Sequence, residues 1–265
     1  RKRTKIVCTI GPASEKEKTL EAMIRAGMNV ARLNFSHGSY PSHKKLMTGI
    51  RAAAKRTGEP VAILQDLQGP KVRVGELPEG GIKLVKGAEV IFTTGESKDL
   101  KKKIPVAYHH LHKDVKTGDR LLLDDGLLEV KVEAVRGEDI VCRVVTGGPL
   151  TSHKGINVPT ASLNIPAITE KDKKDLLFGV GEGVDFVALS FVKHAGEVRL
   201  LKKLIVEYAK KLKKTKEGLP QVIVKIEKHE AITNFDSILA EADGIMVARG
   251  DLGIETPAEN VPVLQ

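Results

Sequence analysis

The sequence predicts an α/β protein built as a (β/α)8-type TIM barrel, about six of its strands present, with an inserted all-β barrel domain. Three observations carry this expectation. Short β-branched runs alternate with helical patterns through residues 1–68 and again over 164–265. The intervening residues 69–163 show only short alternating strands and turn signals. Polar residues stand at the C-terminal ends of successive barrel strands, where such barrels gather their chemistry.

Residues 5–10 read as the first strand and end at the turn Gly11-Pro12. Ser14 with Glu17 three residues on predicts a capping box, opening a helix that ends before Gly27. A strand at 30–35, a helix at 43–56 and a strand at 61–66 follow. Strands separated by helices at this spacing require crossover connections, hence parallel βαβ units. In the insert, turns are expected at Pro78-Glu79-Gly80-Gly81, Lys86-Gly87, Asp125-Gly126 and Gly147-Gly148-Pro149, with no long helix. Thr169 caps a helix that runs to Glu182 and stops at Gly183. Strands at 186–190, 222–226 and 244–248, with helices at 195–213 and 231–241, complete the pattern. No G-x-G-x-x-G follows the first strand and no G-x-x-x-x-G-K-[ST] occurs, so a doubly wound nucleotide fold loses its anchor.

The composition narrows the function. With 265 residues, 41% hydrophobic and 29% charged, the chain has material for a sizeable core. No apolar run approaches the ~18 residues of a bilayer span, so neither a membrane protein nor a disordered chain is expected. Basic residues outnumber acidic ones, 43 to 34, which favours an anionic partner. The lysines are scattered, with runs only at Lys101-Lys102-Lys103 and from Lys210 to Lys216, and Trp is absent. Few stacking platforms and no basic stripe point to a small anionic substrate and away from nucleic acid. Cys8 and Cys142 form no disulfide framework, and no signal peptide is seen, so a reducing cytoplasm is the default. The predominance of Lys and Glu among the charged residues is a thermophile-like bias. The start at Arg1 without Met and the stop at Gln265 just after an apolar run read as cut ends.

The candidate chemistry lies at strand ends. In Val222-Ile223-Val224-Lys225-Ile226-Glu227, residues two apart share a face, which sets Lys225 and Glu227 side by side. Such a pair is costly to desolvate unless it meets a metal or an anionic ligand, or forms a structural ion pair. Asp251, in Arg249-Gly250-Asp251-Leu252-Gly253, adds a hard oxygen beside flexible glycines, and with Glu227 makes a sparse carboxylate set suited to Mg²⁺. The alternative is a glycine turn with a helix-capping Asp. Arg32 and Asn34 share a face of their strand, with Ser36 and His37 on the following loop. Arg32 offers the fork that phosphate and carboxylate prefer, or pairs with a core carboxylate. Asp66, Lys71 and Arg73 flank the entry to the insert, as a site or as a charged hinge. The tract His109-His110-Leu111-His112 lacks ligand partners at useful spacing and reads as a solvated loop. His229-Glu230 does not extend to H-E-x-x-H and is not a zinc site.

Taken together these stretches resemble the pyruvate kinase family. The resemblance rests on residues 223–232 (IVKIEKHEAI), 5–14 (KIVCTIGPAS), 29–38 (NVARLNFSHG), 246–253 (MVARGDLG) and 154–159 (KGINVP), in the family's order and across essentially the whole chain. It implies transfer of phosphate from phosphoenolpyruvate to ADP, giving pyruvate and ATP, by a cytoplasmic, glycolytic phosphotransferase. It implies that Lys225 stabilises charge on the moving phosphoryl and the enolate, with Arg32 and Arg73 on phosphate oxygens. Glu227 and Asp251 would hold Mg²⁺, or Mn²⁺ in its place. Ser190 and the backbone at Arg249-Gly250 would border the substrate. Pro12, Asn34, His37 and Lys154 match the nucleotide side, while Asn34, Ser36 and Asp66 match a monovalent-cation site. At that site potassium-dependent members look like D-T-K-G-P-E, whereas this chain reads Asp66-Leu67-Gln68-Gly69-Pro70-Lys71. A lysine ammonium there implies potassium-independent activity. Without the insert about 170 residues remain against ~250 for a complete barrel, so two strands, the family's C-terminal region and its enolate-protonating threonine are expected beyond Gln265. Family members are commonly homotetramers. A non-catalytic phosphoenolpyruvate- or nucleotide-binding fragment and a metal-dependent aldolase-type barrel are the competing readings.

Overall fold

A computed structural model describes residues 3–96, 103–215 and 218–265; Lys101, Lys102 and Lys216 of the lysine runs lie outside them. The chain begins β1 (Ile6–Thr9), α1 (Glu17–Arg25), β2 (Met28–Asn34), α2 (Tyr40–Thr57), β3 (Ala62–Asp66). The next elements are β4 (Ile82–Leu84), β5 (Glu89–Thr93), β6 (Lys103–Pro105), α3 (Leu111–Asp114) and β7 (Arg120–Leu123). Then come β8 (Leu128–Arg136), β9 (Asp139–Thr146), β10 (Gly148–Leu150) and β11 (Ile156–Asn157). Helices and strands alternate again through α4 (Glu170–Glu182), β12 (Phe186–Leu189), α5 (Ala195–Lys211), β13 (Gln221–Ile226) and α6 (His229–Thr233). Last are α7 (Phe235–Glu241), β14 (Gly244–Val247), α8 (Arg249–Glu255) and α9 (Val261–Leu264). Among the described residues no helix is long and apolar enough to cross a membrane.

The elements form two compact units. One holds Arg1–Gly69, Ala167–Ile226 and Thr233–Met246, the other Pro70–Pro166, Glu227–Ile232 and Val247–Gln265. The first unit is a curled parallel sheet in the order β1-β2-β3-β12-β13-β14, flanked by helices. This order follows the chain without reversal, as a barrel requires, whereas a doubly wound sheet reverses at a switch point. The architecture is therefore α/β with part of a TIM-type barrel. Register sets the strand ends level: Thr9 lies opposite Arg32, Asn34 opposite Asp66, and Ala188 opposite Asp66.

The helices form where apolar spacing and caps coincide. In α5, Val198, Leu201, Ile205 and Ala209 make one buried stripe. Ser39 caps α2 through a reciprocal box with Ser42. Thr169 and Asp172 do the same for α4, and Asp172 Oδ1 also accepts from Gly69 N at 3.1 Å. Gly69 has a φ of +68°, and a Cβ there would stand 3.0 Å from both Phe191 and Ser190, so only glycine fits.

Two helical expectations are corrected. The Ser14/Glu17 box does not form: α1 starts at Glu17 with no side-chain cap, and Ser14 Oγ instead accepts from Gly11 N at 3.1 Å. The local turn captures the hydroxyl before the helix can. The helix expected at 231–241 is two, α6 and α7, parted at Asn234. There the Asn234 amide is engaged with the Lys193 carbonyl at 2.8 Å, and Ser237 Oγ takes the Asn234 carbonyl.

The second unit is a β structure with its own core. Strands in the order β11-β7-β8-β9-β5-β6 form one sheet, antiparallel except for β5 with β6, and β10 pairs β4. Leu128, Val130 and Val132 alternate inward along β8, facing a core that includes Phe92, Leu121, Ile140 and Cys142. The histidine tract is a solvated loop only at His109 and His110, which are exposed. Leu111 is buried and opens the single turn of α3, while His109 and His112 bond the Thr94 carbonyl and hydroxyl. The Arg249-Gly250-Asp251 stretch is helical, forming the first turn of α8.

Burial, and then Glu133, push the Cys142 thiol up to about 12, whereas Cys8 is half-exposed. A thiol reagent near pH 8, where only thiolates react, is expected to modify Cys8 alone in the native chain and both cysteines after denaturation. Rapid native labelling of Cys142 would contradict this packing.

Candidate functional site

In the first unit the C-terminal strand ends converge on the Asp66 carboxylate. Arg32, from β2, donates from Nε to Asp66 Oδ2 at 2.7 Å and from Nη1 to Thr9 Oγ1 at 2.7 Å. Lys225, from β13, has its Nζ 3.3 Å from Asp66 Oδ1 and donates to Ser190 Oγ at 2.9 Å. Ser190 Oγ in turn donates to the Leu67 carbonyl at 2.7 Å. The strand register brings these groups near one another: Asn34, Asp66 and Ala188 are level on β2, β3 and β12, and Leu189 is opposite Val224 of β13, next to Lys225. Asp66 is 2% exposed, Lys225 11% and Arg32 25%. Two cations share one buried carboxylate, and each is held by charge-assisted hydrogen bonds.

Beside this cluster, the loop after β2 is ordered locally. Asn34 Oδ1 accepts from Ser36 N at 3.0 Å, and His37 is exposed. Pro12 is exposed on the turn after β1. Asn34 thus spends its side-chain oxygen on the loop backbone, while Ser36 and His37 extend past the strand ends.

The second unit carries the remaining candidates. Arg73 Nη1 donates to the His153 carbonyl at 2.9 Å, Lys154 pairs with Asp124 at 2.8 Å, and Lys71 faces Asp125 at 3.5 Å. Glu227 is fully buried, Asp251 is half-buried in the first turn of α8, and Arg249 and Gly250 are exposed. Glu227 and Asp251 belong to the same compact unit. Two carboxylate donors are the hard, oxygen-only set that Mg²⁺ accepts when water and substrate complete its octahedron.

Several partners escape a reading of the sequence. Thr9 as a ligand of Arg32 follows only from strand register, and the Leu67 carbonyl carries no side-chain signal at all. Asp124 and Asp125 sit at φ of 50° and 54°, and the Asp-Gly turn signal marks their position but not their lysine partners. A further group, His229, Glu230 and Glu255, has ligand atoms within 4.8 Å of one another. Lys228 Nζ already lies 2.7 Å from Glu255 and Asn157 donates to it at 3.3 Å, so the cluster reads as a charge network.

The family model for the pyruvate kinase barrel domain matches residues 1–265. The chain is 47% identical to the pyruvate kinase of Geobacillus stearothermophilus over 268 residues, covering 100% of this chain and 44% of that protein. It is 46% identical to that of Staphylococcus saprophyticus over 266 residues, with 100% and 44% covered. With that of Mycobacterium tuberculosis it shares 43% over 264 residues, with 100% and 54% covered. The chain thus spans about half the length of the curated relatives it matches.

The Asp66 cluster makes a stability test. Asp66→Asn removes the charge that Arg32 and Lys225 share, and breaking a buried pair costs about 3 kcal/mol or more. Urea unfolding is expected to show that loss as a lowered midpoint with unchanged slope. An unchanged midpoint would mean that solvent, not Asp66, balances the two cations.

Proposed function

The chain belongs to the pyruvate kinase family, and from that membership we propose that it carries the phosphoryl-transfer site converting phosphoenolpyruvate and ADP to pyruvate and ATP. The observation that supports this best is Lys225, held between Ser190 and Asp66 with Arg32 beside the same carboxylate. Phosphoryl transfer asks for positioned cations more than for covalent chemistry.

In this reading residues 1–68 and 164–265 form the barrel domain and 69–163 the inserted lid domain. A terminal oxygen of ADP attacks phosphorus, the bond from phosphorus to the enol oxygen breaks, its electron pair stays on the enolate, and a proton taken up at the methylene carbon then gives pyruvate. Lys225, a point charge with its hydrogen bonds already oriented, stabilises the moving phosphoryl and then that enolate. Arg32 and Arg73 hold phosphate oxygens, and Ser190, Arg249 and Gly250 border the pyruvate end. Pro12, Asn34, His37 and Lys154 lie on the nucleotide side. Glu227 and Asp251 would hold Mg²⁺, which supplies charge neutralisation at the substrate's carboxylate and phosphate. Lys71 supplies the charge that K⁺ provides at the position matched by Asn34, Ser36 and Asp66, so K⁺ is not required. The excess of 43 basic over 34 acidic residues suits two anionic substrates.

The first test is ADP-dependent release of pyruvate from phosphoenolpyruvate by this chain, with Mg²⁺ and without K⁺. Turnover is expected to fall at least about 10³-fold in Lys225→Met. Lys71→Glu is expected to make it depend on added K⁺. A wild-type rate that appears only with K⁺ would overturn the role given to Lys71. Binding of both substrates with no turnover would select the non-catalytic reading.

Metal binding is tested without turnover. Titration of free Mn²⁺ followed by its paramagnetic resonance is expected to show one site, weakened by more than about tenfold in Glu227→Gln and in Asp251→Asn. Equal affinity in both variants would remove these residues from the metal site.

A further inference from the structure

Nine residues past the end of β2 lies a histidine that no step above uses. His43, on the second turn of α2, is buried, and its ring stacks on Phe35 with centroids 4.0 Å apart and planes 7° from parallel. Its Nε2 is 2.9 Å from the main-chain carbonyl oxygen of His37. A carbonyl only accepts, so Nε2 carries the proton. Nδ1 is then a bare lone pair, buried and without a hydrogen-bond partner among the described residues.

The ring has little freedom. Phe35 beneath it is fixed from both sides, its N–H on the Asp66 carbonyl at 3.0 Å and its carbonyl on Lys171 Nζ at 2.6 Å. Above it, Gly38 has a φ of +85°, and a Cβ there would stand 3.0 Å from His43 Nε2 and 3.2 Å from Ser42 Oγ. The loop backbone therefore closes directly onto the imidazole, and only glycine allows that approach. Burial holds the His43 pKa below its ordinary value; the His37 carbonyl and Asp175 oppose this, and Lys171 adds to it. Tyr40, in the same first turns of α2, donates to Asp175 and has its own pKa raised to about 12, so it stays neutral.

We propose that His43 is a positioning residue for the nucleotide-side loop: as a neutral imidazole protonated on Nε2, it clamps the His37 carbonyl and so fixes the direction in which the His37 side chain extends. This rests on the reading that His37 contacts the nucleotide. The stack supplies the rigidity and the single hydrogen bond supplies the register. A phenylalanine at position 43 keeps the first and loses the second. A glutamine keeps a donor near the Nε2 position and loses the ring.

The test uses the 265-residue chain and its variants His43→Phe, His43→Gln, His37→Ala and the double variant His43→Phe/His37→Ala. Three readouts are taken: imidazole nitrogen resonances, amide hydrogen exchange at His37 and Gly38, and calorimetric affinity for Mg²⁺–ADP. In the wild type, His43 is expected to show a protonated Nε2 and an unprotonated Nδ1 down to below the ordinary histidine pKa. His43→Phe is expected to speed exchange at His37 and Gly38 and to weaken Mg²⁺–ADP by about three- to tenfold, the worth of one ordinary hydrogen bond. His43→Gln is expected to stay within about twofold of wild type in both. The double variant is expected to bind no more weakly than His37→Ala alone, because the clamp acts through His37.

A proton on Nδ1, or a His43→Phe variant with wild-type exchange, overturns the proposal. So does a His43→Gln variant that behaves like His43→Phe, because the donor is then not what matters. If His37→Ala leaves affinity unchanged, the nucleotide-side reading of His37 falls, and tautomer and exchange alone judge the clamp. If His43→Phe fails to fold, the wild-type tautomer and His43→Gln still decide.

Discussion

The carboxylate of Asp66 sets the chemistry of the strand ends. It lies at the end of β3, in the middle of the sheet order, and is almost wholly out of water. A buried carboxylate is costly unless charged donors surround it, and a buried lysine is costly for the mirrored reason. Arg32 from one side and Lys225 from the other answer both demands, with Ser190 Oγ bridging Lys225 to the Leu67 carbonyl. The Asp66 main chain takes part as well, its carbonyl holding the N–H of Phe35. A single acidic side chain thus sets the orientation of two cations, Arg32 and Lys225, at the strand ends.

The first turns of α4 form a second organising element. Asp172 closes the capping box with Thr169 and also holds Gly69 N, so one buried carboxylate ties the residue where the chain leaves the first unit to the residues where it returns. Lys171 reaches the Phe35 carbonyl and Asp175 the Tyr40 hydroxyl. Residues that would ordinarily serve only to favour a helix N-terminus, as acidic side chains do there, are recruited to hold loops at the strand ends. The aromatic stack of Phe35 with His43 stands on that base, which couples the loop after β2 to the scaffold rather than to solvent.

The second unit distributes its charges differently. Lys71, Arg73 and Lys154 each meet an acceptor within the unit, at Asp125, the His153 carbonyl and Asp124. Surface pairs of this kind are weak and exchange partners readily, so they leave the lysines available to an anionic ligand. The group of Lys228, His229, Glu230 and Glu255 is the opposite case, close-set and largely shielded. Its charges answer one another, which is a reason to read it as a structural charge network rather than as a metal site.

The sequence by itself determined the α/β class, the chain-order sequence of the barrel strands and the β character of the insert, because these follow from apolar periodicity and turn residues close along the chain. It also named Arg32, Asp66, Ser190 and Lys225 as polar residues at strand ends. Which of them touch was not legible: Thr9 meets Arg32, and Lys225 meets Ser190, through register between strands far apart in sequence. Competition among local hydrogen bonds was equally hidden. Ser14 serves the Gly11 turn instead of a helix cap, Asn234 breaks a helix for the Lys193 carbonyl, and His109 and His112 bond Thr94. His43 gave no motif signal, for its role exists only where α2 lays its ring on Phe35 beneath a glycine. Tertiary structure decided these cases because a polar side chain goes to the best partner within reach, and reach is a property of the folded chain.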